Sequence, residues 1–408
     1  MAPAHPAALV LVSAHLAARA AGAAGVVASF GAFVDRYKRA YSEGSAEYGE
    51  RKALYERRVA GALAHNSDPG RRWDQGTNDH WDRTDQELQV LLGRRGAAGP
   101  LQHGGHGGGL RSSFLSLRQG GPARVLPMEV SWANLTAART VANQGACGSC
   151  WAITAAKVLE AHSEIHSPGP RHRTFSAQQL LNCMPNPREC GGQGGCSGAT
   201  IELAFDFVMK NGLAEEGEMP YAAEVGACAA QAAGSDPSVP RSFLQQFRDL
   251  GRGRGAMDFQ MASWQRLPEN RLQPLMRALA EKGPVGVSVA ADSWFTYEAG
   301  VFDACPQDAV VNHAVVLLGY GGDGAGNKYW LIQNSWGADW GEGGRLRILR
   351  HDDEEERCGT DNDPNAGSAC KGGPAQVTVC GSCGILYDTA VPLFISRRSD
   401  PVTEGLAL

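Results

Sequence analysis

Hydrophobic and polar positions along this chain follow a helical period first and a strand-like period later. Residues 30–93 are polar and aromatic. Within them Tyr48, Lys52, Tyr55, Val59 and Leu63 fall on one helix face, with the Lys52 stem counted as apolar. Ala155, Val158, Leu159, His162 and Ile165 repeat the helical spacing. Gly148 and Ser149 precede that helix, and Ser149 offers a capping hydroxyl. Strand-like runs follow at 285–290, 314–318, 329–332 and 346–349. Helices first and strands later predict an α+β chain with a helical half and a sheet half.

The segments between these runs have their own composition. Residues 94–125 are rich in Gly, Ser and Arg and read as a flexible linker, with His103 and His106 as loop polarity rather than metal ligands. Exposed stretches of small residues are where proteolytic nicking concentrates. Cleavage here would leave a new start near Leu126 and Pro127. The alternating Gly and Arg of 251–255 mark a surface insertion. A second insertion, 351–380, opens with Asp352, Asp353, Glu354, Glu355 and Glu356 and turns Gly-rich, reading as a solvated acidic loop that can attract a basic partner.

Charge and cysteine content narrow the class. Lys and Arg number 38 against 43 Asp and Glu, a net charge of −5, with no basic stripe to favour nucleic acid. Eleven cysteines suit an oxidising compartment, and the odd count sets one apart from ten able to form five bridges. Metal binding is the competing use. Trp151 directly after Cys150, and no histidine at finger spacing from Cys147/Cys150 or Cys380/Cys383, argue against zinc. The apolar run 7–14, followed by small residues, reads as a signal peptide spanning 1–24. No later run of 18 apolar residues offers a membrane span.

The chemistry sits in three short runs. Cys150 lies in Gln144-Gly145-Ala146-Cys147-Gly148-Ser149-Cys150-Trp151, His313 opens an apolar stretch, and Asn334 lies in Gln333-Asn334-Ser335-Trp336-Gly337. A thiol nucleophile needs a base, and the base needs an orienting partner. Each residue alone has an ordinary structural reading, as a bridged thiol, a core histidine or a turn asparagine. Their flanks, Gly319-Tyr320-Gly321 and Trp336-Gly337-Ala338-Asp339-Trp340-Gly341, match as well. Together they resemble the cysteine peptidases of the papain family, cathepsin L-like, over residues 30–392.

That resemblance implies a two-lobed fold, a helical left lobe and a β-barrel-like right lobe over 126–396, with a tail at 397–408. Residues 28–93 are implied to be an inhibitory pro-segment. Glu47, Arg51 and Asn66 match its helical motif while Tyr55, Arg58 and Ala62 vary it; Gly76, Asn78 and Asp82 match a second motif, with His80 where the family has Phe. Cys150 is implied as nucleophile, His313 as acid and base, Asn334 as its orienter and Gln144 as an oxyanion donor, with Trp336 and Trp340 shielding the His–Asn pair. Gly148, Gly198, Ala199, Thr200, Ile201, Val287, Val311, Asn312, Trp336 and Asp388 are implied for substrate. Ala199 replaces a usual Gly, and Asp388 falls at a pocket floor able to receive a basic P2 residue. The implied bridges are Cys147–Cys196, Cys183–Cys228 and Cys305–Cys383. Cys190, Cys358, Cys370 and Cys380 are left to form two more in an order the sequence does not decide; a local Cys358–Cys370 loop would leave Cys190 to Cys380.

The separation of His313 from Cys150, 313 − 150 = 163 residues, exceeds the roughly 130 of the family, which assigns the excess to an insertion between Cys228 and Gly283. Without a paired-histidine insertion the expected activity is that of an endopeptidase. The alternatives are an exopeptidase or transpeptidase on the same triad, or a non-catalytic binding protein. No cofactor and no metal are expected. The expected partners are peptide or protein substrates, the chain's own pro-segment and cystatin-type inhibitors, with no nucleic acid and a monomeric state. The expected location is the secretory pathway, lysosome or vacuole or outside the cell. Asn134-Leu135-Thr136 is a glycosylation sequon.

Overall fold

Buried aromatic and aliphatic side chains organise the chain into three clusters, seen in a computed structural model that describes residues 29–93, 125–166, 172–228 and 261–394. The expected leader, the linker apart from Val125, the 251–255 insertion and the tail lie outside the described residues. In chain order the helices are α1 (Phe30–Arg36), α2 (Ala46–Asn66), α3 (Asp85–Leu91), α4 (Thr136–Arg139), α5 (Cys150–His166), α6 (Ala177–Cys183), α7 (Ile201–Asn211) and α8 (Leu272–Glu281). The strands are β1 (Trp73–Gln75), β2 (Val130–Ser131), β3 (Met261–Arg266), β4 (Val285–Val289), β5 (Tyr297–Phe302), β6 (His313–Gly322), β7 (Lys328–Gln333), β8 (Arg345–Leu349), β9 (Cys358–Asp361), β10 (Val377–Cys380) and β11 (Asp388–Phe394).

The N-terminal cluster is aromatic: Phe30, Phe33, Tyr55, Ala62 and Trp81 are buried together. Ser45 caps α2 through Tyr48 N–H, and Thr84 with Glu87 forms a capping box at α3. Leu63, expected on the buried face of α2, is 46% exposed while Ala62 is fully buried. Fifteen residues at 3.6 per turn overshoot a whole number of turns by about 60°, which carries Leu63 off the face. Lys52 also faces outward, 3.8 Å from Glu56.

The second cluster packs α5, α6 and α7 around Trp151, Leu159, Leu180 and Phe205. The third packs α8 against the sheet. The sheet runs β1-β5-β8-β7-β6-β4-β11-β3, with β2 paired to β6. It is antiparallel except at β5–β8. β4 and most of β6 are buried on both faces, which is why they read as unbroken apolar runs rather than alternating ones. α5 packs on β6, so the helical lobe meets the sheet lobe where α5 begins.

β9 and β10 form a separate antiparallel pair inside the 351–380 insertion. Asp352, Asp353 and Glu356 are exposed, but Glu354 and Glu355 correct the solvated-loop reading. Glu354 is buried and accepts the backbone N–H groups of His351 and Ser382, while Glu355 takes Leu272 N–H and Arg271. The protein's own donors satisfy these two carboxylates.

Candidate active site

β6 and β7 are antiparallel neighbours, with Val316 opposite Gln333. The start of β6 therefore lies beside the end of β7, which brings His313 to Asn334 across 21 residues of sequence. His313 Nε2 donates to Asn334 Oδ1 at 2.8 Å, and the same oxygen accepts Ser335 N–H at 2.8 Å, which fixes the amide's orientation. With the proton on Nε2, the buried Nδ1 carries a lone pair and has no protein partner. Trp336 lies 5.0 Å from the His313 ring, centroid to centroid, and Trp340 packs edge-on against Trp336.

Cys150 is the free cysteine among the described residues; it is buried at the first position of α5 and lines one pocket with His313. Ser149 does not spend its hydroxyl on capping: the hydroxyl pairs with Tyr221, whose own O–H reaches Gln144 O at 2.9 Å. Burial pushes the Cys150 thiol up to about 11, against the pull of nearby backbone N–H groups led by that of Ala314. Burial also pulls His313 down to about 4, with the Asn334 contact opposing it. In this covered state both groups are therefore neutral.

What covers them is the N-terminal segment. β1 adds to the edge of the sheet beside β5, and Asn78 Nδ2 donates to Phe295 O at 2.8 Å. α3 then delivers its C-terminal end to Cys150. Gln144 Nε2 donates to Leu91 O at 2.8 Å, while Ser335 Oγ holds Gln144 Oε1 at 2.6 Å. Residues Val90 to Gly93 run across Gly148 and Gly198. A Cβ on Gly148 would stand 2.8 Å from Gly93 Cα and 3.0 Å from Val90 O. Gly198 has φ +88° and would place a Cβ 2.9 Å from Gly93 O. These glycines let another backbone approach closely.

The other candidate residues divide. Gly198, Ala199, Thr200, Val311 and Asn312 line the pocket beside Cys150, together with Ser288, Gly367 and Ser368, which sequence reasoning did not single out. Ile201, Val287, Trp336 and Asp388 are buried outside that lining. Asn312 turns its amide to Asp292 at 2.6 Å.

Asp388 is not an open pocket floor. Ser288 Oγ donates to it at 2.6 Å and stands in its place at the pocket, and Arg266 Nη2 lies 3.4 Å away. Burial, and then the Asp388 charge, raise the neighbouring Glu202 carboxyl to about 8. An acid with a resident guanidinium has little attraction left for a basic P2 side chain. The missed signals were Arg266, 122 residues away in sequence, and Ser335, hidden beside Asn334.

Disulfides join Cys147 to Cys196, Cys183 to Cys228 and Cys305 to Cys383. The remaining four pair as Cys190–Cys370 and Cys358–Cys380. The local Cys358–Cys370 loop does not form, because β9 and β10 set Cys358 directly opposite Cys380.

A cysteine, a histidine and an asparagine held in this order at the junction of a helical and a sheet lobe define a thiol peptidase. The chain belongs to the papain family of cysteine proteases, whose family model matches residues 126–368. It is 30% identical over 286 residues to a thiol protease of Hemerocallis sp., covering 69% of this chain and 70% of that protein. It is 34% identical over 239 residues to a KDEL-tailed cysteine endopeptidase of Arabidopsis thaliana, covering 57% of each. Among solved structures it resembles digestive procathepsin L 3 of Tenebrio molitor larval midgut, with a TM-score of 0.63, 25% identity and coverage of 89% of this chain and 97% of that one. It also resembles a recombinant stem bromelain precursor, with a TM-score of 0.62, 27% identity and coverage of 90% and 98%. Both structural relatives, as a proform and a precursor, parallel the covered cleft.

Proposed function

We propose that this chain is the zymogen of a cysteine endopeptidase that cleaves peptide bonds through Cys150. The observation that carries the reading is the Leu91 carbonyl on Gln144 Nε2, a peptide carbonyl bound by an oxyanion-type donor beside a buried thiol. Once the N-terminal segment leaves, a Cys150 thiolate and His313 imidazolium pair can form, favoured by the helix N-terminus. The thiolate attacks the substrate carbonyl, and Gln144 with a backbone N–H stabilises the oxyanion. His313 passes its proton to the leaving amine, giving an acyl-enzyme, and then draws a proton from the water that hydrolyses it. Asn334 keeps the imidazole in the tautomer this exchange requires.

Residues 28–93 serve as the inhibitory propeptide and 94–125 as the segment cut on activation, leaving a peptidase domain of 126–396. The leader-like residues 1–24 and the bridges support a route through the secretory pathway, to a lysosome, a vacuole or the exterior. The test is stoichiometric labelling by the epoxide E-64 after acid activation, with N-terminal sequencing of the product. A folded, processed protein whose Cys150 stays unlabelled defeats the reading.

A further inference from the structure

The 351–380 insertion does more than decorate the sheet lobe. Beyond the β9–β10 pair, which Cys358–Cys380 clamps at its base, the chain turns through Pro364–Ala366 and crosses the cleft. It touches both walls. On the sheet side, the Asp361 carboxylate accepts Val311 N–H at 3.0 Å, and a Cβ on Gly367 would fall 2.0 Å from Val311 O, so this backbone contact admits only glycine. On the helical side, Gly191 N–H donates to Ala369 O at 2.9 Å and Lys371 N–H to Arg188 O at 3.0 Å. Lys371 Nζ meets Glu189 at 2.9 Å, and Cys370 is bonded to Cys190. Gly367 and Ser368 thereby become part of the pocket that also holds Cys150 and His313.

We infer that residues 362–371 form a covalently anchored strap that acts as a specificity-determining wall, restricting the P2 side of the cleft to small residues such as Ala, Ser, Thr and Val. This deepens the proposed peptidase reading and rests on it. With Leu92 and Gly93 of the N-terminal segment among its walls, the pocket leaves a cavity of only about 20 Å³ in the covered state. Ala199 adds a methyl to the same lining, and Ser288, whose hydroxyl is held by Asp388, stands there in place of an open carboxylate. A loop tied only by hydrogen bonds could swing aside for a larger residue. The Cys190–Cys370 bond joins positions 180 apart in sequence and denies it that freedom. Each methylene that a rigid hydrophobic wall admits or refuses changes kcat/KM by about 10–200-fold.

The test uses the full chain, activated, with amino-blocked dipeptide fluorogenic amides that vary P2 at constant P1. E-64 titration sets the active concentration. The native enzyme should turn over P2 Ala or Val with kcat/KM at least about tenfold above P2 Phe. The paired variant Cys190→Ser/Cys370→Ser should raise the Phe value about tenfold and leave Val within about threefold. If that variant does not fold, Ser368→Leu serves: it should depress Val while sparing Gly and Ala. An enzyme that titrates with E-64 but prefers Phe or Leu, or whose variants keep the native P2 ratio, overturns the strap. An enzyme that neither titrates nor cleaves any peptide overturns the peptidase reading itself.

Discussion

Latency in this protein acts at the level of two side chains as well as by obstruction. Burial raises the Cys150 thiol to about 11 and lowers His313 to about 4, so the covered site holds a thiol and a neutral imidazole between those limits. Iodoacetamide at pH 6 should therefore alkylate Cys150 in the intact chain at least about tenfold more slowly than in the processed enzyme, since one pKa unit is tenfold in thiolate. Equal rates by mass spectrometry would remove the electrostatic part of the latency. Gln144→Ala should lower kcat by about 10²–10³ with KM little changed, as expected for a donor that acts on the transition state. Ser335→Ala should produce a smaller kcat loss in the same steady-state assay, because it frees the Gln144 amide to rotate. Cys150, His313, Asn334 and Gln144 were legible because each stands in a run whose neighbours are also distinctive. The pairing of Asp388 with Arg266 was not, because Arg266 reaches it from β3, a strand with no motif of its own.

Among the elements, the N-terminal helices and β1 decide when the site opens. His80 is buried with both ring nitrogens lacking a protein partner. It packs edge-on to Trp336 at 5.3 Å and Phe295 at 6.0 Å on the sheet lobe. Burial first, then Arg83, Arg39 and Arg58 on its own segment, hold its pKa well below 6.5. Those arginines also meet Asp79, Asp82 and Asp85. The sign follows from linkage. A histidine bound neutral takes up a proton only on release, so docking is fully stable above 6.5 and weakens as the pH falls below it. His80→Phe, which cannot charge, should move the midpoint of acid processing to lower pH; an unchanged midpoint on gels across pH 4–7 would assign the trigger elsewhere. The helical period of α2 and the drift of Leu63 along it were both readable, but the exposure of Leu63 was not, because sequence spacing says little about how wide an arc of a helix its neighbours cover.

At the scale of the whole molecule, one of the five bridges, Cys190–Cys370, joins the two lobes, while Cys147–Cys196 and Cys183–Cys228 lie within the helical lobe and Cys305–Cys383 and Cys358–Cys380 on the sheet side. Cys183→Ser/Cys228→Ser should lower unfolding stability by about 2–4 kcal/mol, read as a fall in the thermal midpoint under non-reducing conditions. A variant melting with the native protein would show that packing of α5, α6 and α7 alone holds the helical lobe. Sequence by itself determined the chemistry, the order of helices before strands and the odd cysteine, because these are written in local runs and short periodicities. The tertiary structure alone decided that Cys190 meets Cys370, that Arg266 occupies Asp388, that Leu91 presents its carbonyl to Gln144, and that an insertion becomes a wall of the cleft. Such contacts join residues tens to hundreds of positions apart, and they depend on how the lobes pack in space, which no local pattern encodes.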